Sequence, residues 1–539
     1  MKRTLLTGIL PVIFLGIATD TPTLLAQSTG TFAATGSMAT GRYGHTATLL
    51  KDGKVLIAGG FTDASGLFLG IPGPGEARGI TGTAELYDPV TGQFAPTGNM
   101  TAARAYHTAT MLQDGRVLIA SGRGTDRSED NLASAELYDP ATGTFAATGS
   151  MSTRSFNDVN TATLLHDGRV LIHGLYRAEL YDPASATFTV TGDMTVPTAF
   201  ASATLLPDGR VLFANLFSAS LYDPETGSFT PTGGPIRYEG GKAMLLPNGE
   251  VLVAGGNDGS DDPGPTDGAE LYDPSTGTFA GTGNMTAVRS NFTMTLLSDG
   301  KALVAGGSTW IRSQAYSCCL NSVELYDPET GVFTMAGSMA APRAGHTATV
   351  LQSGQVLMVG GSGGVPALIG PGFLPRGALA LATAELYTPP PVSLPASWVQ
   401  VISKNSGKCL DVSGGPLATD PGTPLVQWSC WGGSNQAFLF TPVDGGFQIT
   451  AQHSGLQLDV RGGPAAIQDG IHVIQWPYWG GSNEIWQVQP VADGYYKIVA
   501  LNSGKCLDVS DISLSDGAPV QQWSCWGGDN QSWRLVPIP

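Results

Sequence analysis

The stretch HTATLLKDGKVLIAGG, residues 45–60, followed by AELYDPVTGQF, residues 84–94, decides the fold. From His45 to Leu49 polar and apolar residues alternate as in a half-buried strand, and Asp52-Gly53 supplies the positive-φ residues of a tight hairpin. Val55 to Ala58 is a continuous apolar run, the pattern of a strand buried on both faces. Glu85-Leu86-Tyr87 reads as a third strand. Asp88-Pro89-Val90-Thr91-Gly92 turns it into a fourth at Phe94, with Pro presetting φ and Gly closing the turn.

This unit recurs. The third strand begins at Glu85, Glu136, Glu179, Ser220, Glu270, Glu324 and, with Thr-Pro in place of Asp-Pro, at Glu385. The hairpin before it begins at His45, His107, Asn160, Ala201, Gly241, Phe292 and His346, and the fourth strand follows at Phe94, Phe145, Phe188, Phe229, Phe279 and Phe333. The seventh unit has no fourth strand after it, yet an unattached copy, Thr29 to Gly36, precedes the first. If that N-terminal segment completes the last sheet, seven third strands match seven fourth strands and no edge stays open. Four antiparallel strands repeated radially form a β-propeller blade. The Gly-Gly doublets, the recurrent Tyr, and Arg42, Arg104, Arg154, Arg237, Arg289 and Arg343 ahead of the first strands resemble kelch repeats. The expectation is a seven-bladed kelch-type propeller over residues 27–390, closed by an N-terminal strand.

Short turns are confined to one end of such a propeller. The connections between second and third strands vary, with insertions after Gly60, Gly256, Gly307 and Gly361, and they share the other end with the blade crossings. That end is the expected ligand face, for a glycan or a protein partner. The recurrent Arg residues, and His45, His107 and His346, read as repeat packing. One segment supports an alternative. Arg104-Ala105-Tyr106-His107 resembles the strand that carries adjacent Tyr and His copper ligands in galactose oxidase and glyoxal oxidase, themselves secreted kelch propellers. The resemblance implies Tyr106 and His107 as copper ligands. The crosslinked Cys and second His that those enzymes need are not visible: Cys318 and Cys319 fall in an insertion, where a local loop bridge is expected, and the C-terminal domain differs. Asn257, Asp258, Asp261, Asp262 and Asp267 offer hard oxygen ligands for Ca²⁺, or simply form a solvated loop. No glycosidase carboxylate pair or Ser-His-Asp set stands out, so the propeller reads first as a binding scaffold without a cofactor. The alternative is a secreted carbohydrate-active enzyme, copper-radical oxidase-like or polysaccharide-cleaving.

After a Pro-rich linker, residues 391–397, the period changes. Residues 398–539 hold three copies anchored by Asp411, Asp459 and Asp508, each with Gln-Trp at Trp428, Trp476 and Trp523 and Asn at Asn435, Asn483 and Asn530. Asp to Asn spans 24, 24 and 22 residues. This block resembles the ricin B-type lectin, a β-trefoil with a Gln-x-Trp signature, seen as Gln531-Ser532-Trp533 and drifted to Glu484-Ile485-Trp486 and Gln436-Ala437-Phe438. The resemblance implies that these last aromatics face the core, that Cys409 bridges Cys430 and Cys506 bridges Cys525, and that the middle copy, with Gln457 and Tyr478, has no bridge. It also implies carbohydrate binding. Trp428, Trp476 and Trp523 would stack on sugar C–H faces, Asp411, Asp459 and Asp508 would accept hydroxyl protons, and Asn435, Asn483, Asn530, Gln436 and Gln531 would assist. Trp431, Trp479 and Trp526 extend the aromatic surface, and the middle copy carries Glu484 where the others have Gln.

Composition bounds the remaining classes. Of 539 residues, 73 are Gly and 36 Pro while only 13% are charged, which suits short strands and tight turns rather than long helices. A net charge of −17 weighs against nucleic acid and anionic membranes, both of which attract basic faces. Lys2-Arg3 followed by the apolar run Leu5 to Ile17 reads as a signal peptide, residues 1–26, too short and Pro-interrupted to span a membrane. A secreted or periplasmic monomer is expected, in a compartment that permits disulfides.

Overall fold

The computed structural model describes residues 30–62, 79–125, 132–152, 161–173, 177–193, 202–215, 218–233, 241–257, 264–311, 316–363, 379–390, 394–491 and 494–538. The expected signal segment, Arg154 and Arg237 lie outside them.

The N-terminal part is an all-β, seven-bladed propeller of four-stranded antiparallel sheets. Blade 1 runs Thr46–Leu49, Val55–Ala58, Ala84–Asp88 and Gln93–Pro96 from the axis outward. The second strand is buried along its whole length, as its apolar run requires. Blade 7 takes its outer strand from Thr31–Ser37, with Phe32 opposite Tyr387 and Ala33 opposite Leu386. In each blade the third-strand Tyr packs on the fourth-strand Phe with ring centroids 4.7–4.9 Å apart, and Phe32 supplies this partner for Tyr387. The N-terminal strand therefore takes the place of the missing fourth strand, as the strand count requires.

The hydrophobic core is divided among the spaces between blades. Leu56 and Ala58 of blade 1, for example, pack against Val117, Ile119 and Tyr138 of blade 2. At the outer rim, six joints carry a hydroxyl pair from one blade's Thr to the next blade's Tyr, such as Thr35 to Tyr87 at 2.8 Å and Thr97 to Tyr138 at 2.9 Å. At the seventh joint Ala336 occupies the Thr position, and the Tyr387 hydroxyl has no side-chain partner.

Among the described residues, a buried Arg ties three segments together inside four of the blades. Arg104 donates to the Ser121 carbonyl at the end of the second strand, to the Ser134 carbonyl, and to Glu136 in the third strand at 2.9 Å. Glu136 in turn accepts from the backbone N–H groups of Thr101 and Ala102. Arg42–Glu85, Arg289–Glu324 and Arg343–Glu385 repeat the arrangement. These arginines are packing elements of the blade, as their recurrence suggests. The Cys318–Cys319 pair departs from expectation: it stands in a strand, Tyr316–Cys319, paired with Ser308–Ile311, rather than in a loop. The Cys319 sulfur approaches the Ser362 carbonyl at 3.0 Å, and the Cys318 side chain lies outside the described set.

Residues from Val399 onward form a β-trefoil whose first strand, Val399–Ser403, pairs with its last, Trp533–Pro537. Phe438, Trp486 and Trp533 are fully buried in one core with Leu410, Leu458 and Leu507. The Trp486 and Trp533 indoles donate to the Leu458 and Leu507 carbonyls at 3.0 and 2.9 Å. Cys409–Cys430 and Cys506–Cys525 are bridged.

Deleting residues up to Ser37 unpairs Thr383–Thr388 and strips Phe32 from Tyr387. The expected outcome is a propeller melting temperature lower by at least about 10 °C, read by calorimetry. Replacing buried Arg104 with Ala strands Glu136 and should cost about 3–5 kcal/mol, measured by denaturant unfolding.

Candidate functional site

Each trefoil lobe brings the sequence-predicted residues into one place. In lobe 1, Asp411 lies in the strand Cys409–Val412, Trp428 ends the strand Leu425–Trp428, and Asn435 and Gln436 sit on the one-turn 3₁₀ helix Ser434–Gln436. The Gln436 amide donates to Asp411 at 2.9 Å and to the Ser429 carbonyl, while its oxygen accepts from the Trp431 N–H. Asn435 donates to the Val412 carbonyl. In lobe 3, Asp508 accepts from Asn530 at 2.8 Å, Gln531 at 2.9 Å and Gln521 at 3.1 Å.

The polar set lies deeper than a residue pattern conveys. Asp411 is 4% exposed and Asn435 1%, whereas Trp428 is 44% and Trp431 55% exposed. The sequence reading ranks Trp431, Trp479 and Trp526 as accessories; the structure makes them the most exposed part of each site. The reason lies in the Gly-Gly that follows. A methyl group on Gly433 would sit 2.2 Å from the Trp431 ring and 2.7 Å from Asn435 Oδ1, so only Gly lets both side chains close on this point. Gly481 and Gly528 do the same for Trp479 and Trp526. In the same sites, Asn435, Asn483 and Asn530 each keep a buried side-chain oxygen without a hydrogen-bond partner. An acceptor left unpaired in all three lobes costs stability unless a donor reaches it.

Neighbouring lobes brace the exposed indoles. Gln427, next to Trp428, donates to the Ser513 and Ser515 carbonyls of lobe 3, and Asp516 of that loop takes the Ser429 N–H and Lys408. Lobe 3 leans on lobe 2 in the same way through Gln522, Ser524, Lys505 and Asp469. Where lobe 2 meets lobe 1 the glutamine clamp persists, from Gln475 to the Ala418 and Asp420 carbonyls. The ion pair does not: Leu456, Pro477 and Pro421 occupy the Lys, Ser and Asp positions. Pro477 has no N–H to offer an Asp, so the replacements are mutually consistent.

Lobe 2 differs electrostatically as well. Glu484 cannot donate to Asp459, so its Oε2 instead accepts from the N–H groups of Trp479, Gly480 and Gly481, and its Oε1 stays buried without a partner. Burial raises the pKa of all three aspartates. For Asp459 the adjacent Glu484 carboxylate adds to burial and pushes it up to about 7.

In the propeller, His45, His107 and His346 line consecutive inner joints. Each Nε2 pairs with a Thr hydroxyl of the preceding blade, on Thr347, Thr46 and Thr293, at 2.9–3.2 Å. Each ring also packs against the first Gly of that blade's Gly-Gly. A methyl on Gly59, at φ +65°, would stand 2.8 Å from His107 Cε1. Phe292 fills the equivalent place against Gly255, so the ring serves as a spacer. Burial, reinforced by Arg104 and Arg343, holds His107 and His346 down at about 3. Tyr106 is half-buried against Phe61 with φ 51°, a left-handed conformation held by Gly44 and Gly345 in other blades. Among the described residues no group of three or more His, Cys, Asp and Glu side chains is placed to hold a metal ion. Of the candidate Ca²⁺ ligands, Asn257 and Asp267 are described, and Asp258, Asp261 and Asp262 lie outside.

Residues 397–533 match the ricin-type beta-trefoil lectin domain, and residues 295–340 match the Kelch motif. The chain is a seven-bladed kelch-type propeller fused to a ricin B-type β-trefoil. Among solved structures, a fungal alcohol oxidase of the AA5 family, in complex with copper, shares 18% identity over 95% of this chain and 100% of its own, with a TM-score of 0.54. At that identity the likeness is one of fold. The designed three-fold symmetric protein ThreeFoil shares 45% identity over 26% of this chain and 99% of its own, with a TM-score of 0.25. No curated protein matches the chain. Among the described residues no helix is long and apolar enough to cross a membrane, and the two disulfides are consistent with an oxidising, extracytoplasmic environment.

In the unfolded chain Asp459 returns to a pKa near 4. Between about pH 4 and 7 the folded lobe therefore holds a proton that the unfolded chain releases, and lobe 2 loses stability as pH rises through that window. Glu484→Gln restores the donor found in lobes 1 and 3. The variant's melting temperature relative to wild type should climb between pH 5 and pH 8; a difference that stays flat across this range contradicts the assignment.

Proposed function

We propose that this is a secreted carbohydrate-binding protein whose trefoil carries three glycan sites and whose propeller is a ligand-binding scaffold. The observation that carries this reading is the threefold recurrence of two exposed indoles beside a buried carboxylate and an unpaired amide oxygen. A pyranose has an apolar C–H face for an indole and hydroxyl rims for the polar groups. Trp428, Trp476 and Trp523 serve as stacking surfaces flanked by Trp431, Trp479 and Trp526. Asp411, Asp459 and Asp508 polarise the floor, with Asn435, Asn483 and Asn530 accepting from sugar hydroxyls through their unpaired oxygens. Gln436 and Gln531 orient their aspartates. Three weak sites on one rigid body gain by avidity on a repetitive glycan.

A second reading makes the propeller catalytic, an oxidase-type or polysaccharide-cleaving domain that the trefoil directs to its substrate. Two observations recommend it: the full-length likeness of fold to an AA5 alcohol oxidase, and Tyr106 held at a positive φ beside His107. A non-Gly residue in that conformation costs about 1–2 kcal/mol, and such strain concentrates at functional sites. The donors do not complete a copper site by themselves. His107 Nε2 is engaged by Thr46, and no group of three or more His, Cys, Asp and Glu side chains gathers around it among the described residues.

On a glycan array the wild type should bind, and Trp428→Ala/Trp476→Ala/Trp523→Ala should lose at least about tenfold in affinity. Absent wild-type binding, or an unaffected triple variant, refutes the lectin assignment. For the second reading, metal analysis after copper loading and peroxide release from primary alcohols are measured on wild type and Tyr106→Phe. Stoichiometric copper and turnover that fall together in the variant support it, and their absence from wild type removes it.

A further inference from the structure

In lobes 1 and 3 one side-chain amide fastens the floor of the site by donating both of its hydrogens. Gln436 Nε2 donates to Asp411 Oδ2 at 2.9 Å and to the Ser429 carbonyl at 3.1 Å, and Gln531 Nε2 donates to Asp508 Oδ2 at 2.9 Å and to the Ser524 carbonyl at 3.1 Å. The oxygen of each amide accepts from the N–H of Trp431 or Trp526 at 3.0 Å. Glu484 stands in this place in lobe 2. Its Oε2 takes over from the amide oxygen, accepting from the N–H groups of Trp479 and Gly480 at 3.1 Å, so its Oε1 falls where the other lobes have a nitrogen. By register, the carbonyl that matches those of Ser429 and Ser524 belongs to Pro477. Three acceptors therefore meet at a point where lobes 1 and 3 make two N–H bonds.

Burial decides what restores the balance. Glu484 and Asn483 are fully buried and Asp459 nearly so, and Glu484 Oε1 has no hydrogen-bond partner. Two adjacent carboxylates out of water do not both keep their charge, and one shared proton turns the pair into a donor and an acceptor. The pair then carries a single negative charge, as each Gln–Asp pair does. The surrounding elements bring no compensating cation among the described residues. Arg461, at the end of the Asp459 strand, and His472, on the paired strand, are exposed, as are Asp420 and Tyr478 on the flanking loops. His453, half-buried, is engaged by the Ala418 carbonyl. Glu484 is the charged group whose field acts on Asp459, in the same direction as burial.

Two short links join this pair to the sugar-facing groups. Asp459 Oδ2 accepts from Asn483 Nδ2 at 2.8 Å, which orients the Asn483 oxygen that has no partner of its own. Glu484 Oε2 holds the N–H groups of Trp479, Gly480 and Gly481, the segment that carries the exposed Trp479 indole. Loss of the proton sets two buried charges against each other at the root of both links.

We propose that Asp459 and Glu484 share one proton, and that this proton makes lobe 2 an acid-selective glycan site, while lobes 1 and 3 bind without regard to pH. The proposal rests on the reading of the trefoil as a lectin. Sugar binds the protonated arrangement, so affinity is full at low pH and falls as pH rises through the titration of the pair; reciprocally, sugar binding above that range takes up a proton.

Two full-length proteins isolate the lobes: Trp428→Ala/Trp523→Ala leaves lobe 2, and Trp476→Ala/Trp523→Ala leaves lobe 1. Binding to a glycan array and to immobilised galactan, xylan and chitin is measured at about pH 5.5 and about pH 8.5, on either side of the expected transition. The lobe 2 protein should lose at least about tenfold in affinity at the higher pH, and the lobe 1 protein should stay within about twofold. Adding Glu484→Gln to the lobe 2 protein should remove the pH dependence; Gln is the residue of the other lobes, and folding is checked by melting temperature. Without sugar, hydrogen exchange of residues 479–484, corrected for its intrinsic pH dependence, should quicken at least about tenfold over the same range in wild type and stay level in Glu484→Gln. Equal lobe 2 affinity at both pH values overturns the proposal and leaves the lectin reading standing. So does a pH dependence that survives Glu484→Gln, which then belongs to His453 or His472, since imidazoles change charge between about pH 5 and 8. Absence of binding to every glycan at both pH values instead removes the lectin reading and the acid-selective site with it, while the exchange measurement still reports on the shared proton.

Discussion

The buried guanidinium–carboxylate pair inside the blades is the interaction on which the rest of the propeller depends. Arg104 holds the end of one strand, the start of another and the incoming crossing segment at a single point. Its charge is removed from water, so it must be fully paired, and the carbonyls around it supply that pairing. The position of the crossing segment sets where the following His or Phe enters the joint, and this sets the shape of the channel mouth. Blade 4 carries Ser220 in place of the Glu and also lacks the Gly-Gly doublet.

Much of the fold was legible because the repeats carry their own register. The Asp-Gly hairpins, the Asp-Pro turns and the unattached Thr-Gly-Thr-Phe segment predict four strands per blade and the N-terminal closure, all of which the structure contains. The trefoil residues were legible for the same reason. Depth was not. A residue pattern shows that Asp411, Trp428 and Asn435 recur, but not that the Trp431 ring and the Asn435 amide oxygen both close on Gly433, because that depends on the missing Cβ of that Gly. The consequence of Glu484 was hidden as well, since it arises from an oxygen facing Asp459 where a nitrogen stands in the other lobes.

The three lobes are therefore alike in plan and unequal in chemistry. Lobes 1 and 3 have a disulfide behind the indole, a Lys–Asp tie to the adjacent loop and a Gln that donates to the aspartate. Lobe 2 lacks all three, and Pro477, Pro421 and Leu456 show that the replacements form a matched set. Pseudo-symmetry supplies the scaffold, and its local breaking differentiates the sites. The same holds in the propeller, where His spacers and Thr hydroxyls form the background against which Tyr106 stands out.

Closure by Thr31–Ser37 also constrains the order of folding. Phe32 and Tyr387 are neighbours in space but lie at opposite ends of the propeller sequence, so the last joint forms only after every blade has been made. The entropy of closing so long a loop must be met before the ring gains its final contacts. Contacts of such wide separation fold slowly. Until then the edge of Thr383–Thr388 is an unpaired strand, open to pairing with another chain. The joint that receives this late strand is also the one where Ala336 leaves the Tyr387 hydroxyl without its Thr partner, which makes the seam between blades 6 and 7 the weakest point for a nascent chain to swap strands with a neighbour.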